Sequence, residues 1–125
     1  MCPESDDRLR VTLMEAAELL TGRPEPFTVL FRRGDLSVEL FAPRGIDTQQ
    51  PHEQDEIYIV AAGTGVFRRG VDRVPFGPGD ILFVPARVPH AFETFSTDFK
   101  TWVIFFGPQG GYSTAAQRLE VRSAT

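Results

Sequence analysis

Leu13, Ala16, Ala17 and Leu20 recur at helical spacing, and from Phe27 onward the rhythm changes to the two-residue alternation of strands. Thr12-Leu13-Met14-Glu15 has the form of a capping box, so the pattern predicts a helix of about ten residues that Gly22 and Pro24 stop. A single amphipathic helix of that length is expected to cover a flank or an open end of the strand-rich remainder of the chain.

The first strand pair is Phe27 to Phe31 and Leu36 to Leu40, joined at Arg33-Gly34-Asp35. In the second of these, Leu36, Val38 and Leu40 alternate with Ser37 and Glu39, which predicts a hairpin with one wet face. Further strands are expected at Glu56–Ala61, Gly65–Arg69, Ile81–Val84, Ala91–Phe95 and Lys100–Phe106. The turns between them fall at Gly63-Thr64-Gly65, Arg69-Gly70 and Gly77-Pro78-Gly79-Asp80. Many short strands with turn signals and no second helix predict an antiparallel all-β sandwich or barrel. Ile57-Tyr58-Ile59-Val60 and Trp102-Val103-Ile104-Phe105-Phe106 are apolar without interruption, so both faces of these strands should be covered. The second cover is expected to be another subunit, giving a homodimer; the alternative is that the helix or the tail lies across them.

Composition narrows the class. The chain has 125 residues, 42% of them hydrophobic and 24% charged, which excludes a disordered polymer and leaves room for one ordinary core. Its net charge is -4 and its basic residues are scattered, so a nucleic-acid partner is not expected. Val11 to Leu20 is interrupted by Glu15 and Glu18, which argues against a membrane span or signal core. The single cysteine, Cys2, has no intrachain partner, and a reducing, cytoplasmic location is expected. No Gly-x-Ser-x-Gly elbow and no phosphate-loop ending occur, and Cys2 sits in a polar tail, so no covalent nucleophile presents itself.

The two histidines carry the candidate chemistry. His52 lies four residues before Glu56, and His90 follows Pro89 further along the chain. Two imidazoles and one carboxylate form a three-ligand set of the kind that leaves coordination positions open for substrate. Four residues of straight strand span about 13 Å, whereas donors on one metal stand within about 4 Å of each other. The chain must therefore bend at Glu53-Gln54-Asp55, with His52 ending one strand and Glu56 beginning the next.

Gly45, Gln50-x-His52-x3-Glu56-x6-Gly63 and Pro78-Gly79-Asp80-x4-Pro85-x4-His90 resemble, in order and spacing, the two motifs of the cupin superfamily over roughly residues 35–106. The resemblance implies a double-stranded β-helix (jelly-roll) barrel with a short N-terminal helix. It divides the chain into a tail and helix (1–25), a barrel (26–108) and a C-terminal tail (109–125). It also implies one divalent metal ion, Fe, Zn, Mn or Ni, on His52, Glu56 and His90. The sequence departs from the motifs at Gln50, which stands where a histidine is usual, and at Thr94, which stands where asparagine often occurs. Gln50 is an optional fourth donor through its amide oxygen.

With Glu56 and His90 pointing inward, alternation sends Tyr58, Val60 and Phe92 inward too. Tyr58, Phe92 and Trp102 are the candidate substrate-pocket residues, with core packing the commoner use of such aromatics. Arg68, Arg69, Arg73 and Arg87 read as a solvated face rather than an anion site. The functional expectation is a small mononuclear metal enzyme, dioxygenase-like or isomerase-like, acting on a small organic molecule. The alternatives are a non-catalytic module that binds or senses a metal or small ligand, and a metal-free structural barrel.

Overall fold

The structure is a computed structural model that describes residues 8–113; Cys2 and the tail beyond residue 113 lie outside the described residues. Helix α1 (Leu13–Leu20) opens on the predicted capping box, in which Thr12 Oγ1 accepts from the Glu15 amide and Glu15 Oε1 accepts from the Thr12 amide. Eight strands come after it: β1 (Phe27–Arg33), β2 (Leu36–Phe41), β3 (Asp55–Ala62), β4 (Gly65–Arg69), β5 (Asp72–Phe76), β6 (Ile81–Val84), β7 (His90–Phe95) and β8 (Lys100–Phe106). They form a five-stranded sheet in the order β1-β2-β8-β3-β6 and a three-stranded sheet in the order β5-β4-β7, all pairs antiparallel. This is the jelly-roll barrel architecture with one short helix. Among the described residues no helix is long and apolar enough to cross a membrane.

Strand β5 is an element the sequence pattern misses. Pro75 removes a ladder donor and most of the strand is exposed, so no apolar alternation marks it. It forms at the edge of its sheet, where Pro75 pairs opposite Val66 and the missing N–H costs nothing.

The core between the sheets takes Phe41, Tyr58, Val60, Val84 and Val103 from the larger sheet and Phe67, Phe76 and Phe92 from the smaller, with Phe99 from the turn before β8. Aromatic rings dominate it, and Phe92 packs against Tyr58, Phe67, Phe76 and Phe99 at centroid distances of 4.9, 4.8, 5.4 and 4.7 Å. A second cluster lies on the other face of the larger sheet, where Ala16 and Leu20 of α1 meet Leu30 and Leu40, with Val38 and Trp102 against them. The helix therefore supplies cover for the outer side of β8 at Trp102. Two glycines sit where neighbouring chain segments approach closely, Gly65 between the strands of the smaller sheet and Gly63 in the turn between β3 and β4. A Cβ on Gly65 would stand 2.0 Å from the Thr94 carbonyl oxygen, and Gly63, at φ +91°, would meet Phe99.

Strand β2 turns the opposite way from its expected wet and dry faces. Val38 and Leu40 pack outward under the helix cluster, whereas Glu39 and Phe41 face the barrel interior. The polar side of this strand is the inside, because α1 covers the apolar side and the interior at this end is a cavity.

Candidate metal centre

The barrel opens at one end into a cavity of about 300 Å³ lined by strand residues Phe27, Glu39, Phe41, Glu56, Tyr58, Val103 and Phe105 and by the loop between β2 and β3. That loop contributes Asp47, Gln49 and His52. His52 therefore stands in an irregular connection and ends no strand, and this is how the chain makes the bend that a shared metal requires. Glu56 enters from β3, and His90 opens β7 directly after Pro89. One ligand atom from each of His52, Glu56 and His90 lies within 4.8 Å of the others.

Glu56 and His90 are buried, with side-chain exposures of 2% and 1%, and Glu56 Oε1 stands 3.2 Å from His90 Nε2. Neither atom is placed for a directed hydrogen bond and neither has another partner. The other ring nitrogen of His90, Nδ1, lies 2.8 Å from the Val88 carbonyl oxygen. A carbonyl only accepts, so Nδ1 carries a proton, and whenever the ring is neutral its Nε2 lone pair faces a carboxylate oxygen. Two acceptors facing each other in a buried site call for a cation between them or a proton on the ring. Burial lowers the pKa of His90, but Glu56 and the Val88 carbonyl outweigh it and the net shift is upward. For His52 burial prevails over the attraction of Glu56 and its pKa is lowered, so the ring is neutral and ligand-ready at pH 7. Two buried acceptors without partners beside a neutral imidazole are a donor set that fits one divalent ion.

Gln49, which the sequence pattern does not single out, lines the cavity, whereas Gln50, the optional donor named from the sequence, does not. Gln50 is exposed, while Gln49 turns inward. Asp47 holds it there: Oδ1 accepts from the Gln49 amide at 3.1 Å and Oδ2 from the side-chain Nε2 at 2.7 Å. Asp47 is itself tied to the opposite sheet by the Phe92 amide at 2.9 Å. With its NH2 fixed on Asp47, Gln49 directs Oε1 toward the centre, where it accepts from the Tyr58 hydroxyl at 3.2 Å and lies 3.1 Å from His52 Nε2. Burial, followed by the nearby Glu56 carboxylate, raises the Tyr58 pKa, so its phenol stays protonated.

The three candidate pocket aromatics separate. Tyr58 lines the cavity, Phe92 is core beneath it, and Trp102 points to the helix side of the sheet, away from the cavity. None of the four arginines lines the cavity: Arg68 and Arg73 pair with Glu93, Arg87 pairs with Glu53, and Arg69 donates to the Phe83 carbonyl. Glu39 does line it, and its pKa is raised to about 7 by burial and then by repulsion from Glu56, with Arg32 offsetting part of this.

A cupin domain family model matches residues 37–105, spanning both strands that deliver Glu56 and His90. The chain belongs to the cupin family. An uncharacterized protein of Streptomyces coelicolor is 35% identical over 80 residues, covering 62% of this cupin and 76% of that protein. The crystal structure of DMSP lyase DddQ from Ruegeria pomeroyi superposes with a TM-score of 0.57 at 29% identity, over 65% of this cupin and 46% of that chain. This cupin thus spans less than half of the lyase. A putative mannose-6-phosphate isomerase from Ralstonia eutropha superposes with a TM-score of 0.53 at 26% identity, over 70% of this cupin and 89% of that chain.

Proposed function

We propose that this cupin is a mononuclear metal enzyme that moves protons on a small organic substrate, in the manner of a lyase or isomerase. The observation that carries the reading is the buried pair of unpartnered acceptors, Glu56 Oε1 and His90 Nε2, at a cavity that His52 also lines. His52, Glu56 and His90 would hold one divalent ion, Fe, Zn, Mn or Ni, with the Gln49 amide oxygen as a further donor beside them. Such an ion supplies Lewis-acid polarisation of a substrate oxygen.

The chain's own groups do the rest. Val88 holds the His90 proton on Nδ1 and so keeps Nε2 free for ligation. Tyr58 carries a proton on its hydroxyl at the cavity wall, oriented by Gln49, and is the group placed to give or take a proton at a polarised substrate. Phe27, Phe41 and Phe105 line the cavity as an apolar wall that limits water. A volume of about 300 Å³ suits a small molecule. The resemblance to a DMSP lyase and to a putative mannose-6-phosphate isomerase supports the lyase or isomerase class over oxygen insertion.

The test is conversion of DMSP and of mannose 6-phosphate by protein loaded separately with Fe(II), Mn(II) and Zn(II), followed by NMR. Turnover of one of them should vanish on chelation, and Tyr58→Phe should lower kcat by about 100-fold or more with little change in KM. Binding without conversion in every metal form would make the protein a binding or sensing module. Oxygen consumed in step with conversion would place it among dioxygenases.

A further inference from the structure

The charge of the cavity has a direction that the metal alone does not account for. Asp47, Glu56 and Glu39 line it, and neither Lys nor Arg does. The Asp47 oxygens are already engaged by the amides of Gln49 and Phe92 and by the Gln49 side chain. Glu56 would be taken up by the metal of the proposed centre. Glu39 lies outside the ligand cluster and has no hydrogen-bond partner among the described residues. A divalent ion would offset the charges of Glu56 and Asp47, leaving Glu39, which Arg32 offsets only in part, as the lining carboxyl without a hydrogen-bond partner. It projects from the β2 face that also presents Phe41, in a cavity whose other walls include Phe27 and Phe105.

We infer that the cavity selects a small organic cation of the ammonium type, with Glu39 as its counter-ion and the Phe27, Phe41 and Phe105 rings as the wall for its apolar body. The inference rests on the metal-centre reading and names its substrate class. A carboxylate shielded in a cavity without a basic lining residue gains most from a ligand that brings a positive charge without a large hydration shell, and aromatic faces attract that same charge. An anionic headgroup would meet Glu39 and Asp47 with no basic lining residue to receive it, so of the two test substrates mannose 6-phosphate should be the one left unconverted.

Choline and 3,3-dimethylbutan-1-ol have the same shape and differ in charge, because carbon replaces nitrogen. Calorimetric titration of the manganese-loaded full chain with each should give choline at least about tenfold tighter binding. In Glu39→Gln that ratio should fall to near one while the manganese content, read by elemental analysis, holds. Equal or tighter binding of the alcohol, no choline binding up to about 10 mM, or an unchanged ratio in Glu39→Gln overturns the inference. The two readings fail separately: protein that holds manganese but shows no preference refutes the cation site alone. Protein that takes up no manganese yet prefers choline through Glu39 refutes the metal centre and supports the cation site.

Discussion

Glu39→Gln in the metal-free protein should change how stability depends on pH, and the structure sets both sign and size. The carboxyl titrates at 4.5 when exposed and at about 7 in the folded chain, because it is largely shielded and faces Glu56. Between those values the folded state keeps a proton that the unfolded chain has released, so the contribution is fully present below about 4.5 and is lost as pH rises through about 7. At about 1.4 kcal/mol per pKa unit the ceiling is about 3.5 kcal/mol. Glu39 keeps some solvent contact, and screening brings the expectation to about 2 kcal/mol. Urea unfolding at a series of pH values, followed by fluorescence of the single tryptophan, Trp102, gives the stability of both proteins. The difference, wild type minus Glu39→Gln, should fall by about 2 kcal/mol from pH 4.5 to 7.5 and be flat outside that window. His90, whose raised pKa gives the same sign at higher pH, is common to both proteins and cancels to first order. Saturating divalent metal should shrink the effect by weakening the field of Glu56. A difference that is flat, or that rises with pH, would refute the placement of Glu39 inside the barrel.

Packing and capping set the size of three stability losses. Phe92→Ala should cost about 3–5 kcal/mol in denaturant unfolding, since the ring is 1% exposed and central to the aromatic core. Gly65→Ala should cost about 1–3 kcal/mol, because the added methyl meets the Thr94 carbonyl oxygen and the Phe76 ring. Thr12→Ala should cost about 1 kcal/mol by removing one half of the capping box, with no effect on metal content, since α1 packs on the sheet face away from the cavity.

The helix, seven of the eight strands and the inward direction of Tyr58 and Phe92 are legible in the sequence because each rests on local periodicity or on turn residues. What is not legible depends on which face of an element the rest of the chain covers. Glu39 lies in plain alternation with Val38 and Leu40, but alternation names two faces without saying which is inside. The helix cluster takes the apolar face and leaves Glu39 and Phe41 to the cavity. Trp102 departs from expectation for the same reason, lying in an apolar run whose two sides look alike in sequence. Gln49 and Gln50 are adjacent in a loop without period. The inward one is decided by Asp47, which holds both the backbone and the side chain of Gln49, and no spacing rule marks that contact. Pro75 hides β5 because proline argues against a central strand, although this strand is an edge.

Elemental analysis of protein purified without chelator or nickel resin bears most directly on the metal centre. Wild type should carry about one divalent ion per chain, and His52→Ala, Glu56→Gln and His90→Ala should each lose most of it while retaining cooperative unfolding. A wild-type chain that takes up no divalent ion, or a His90→Ala chain that holds it as well as wild type, would contradict the account.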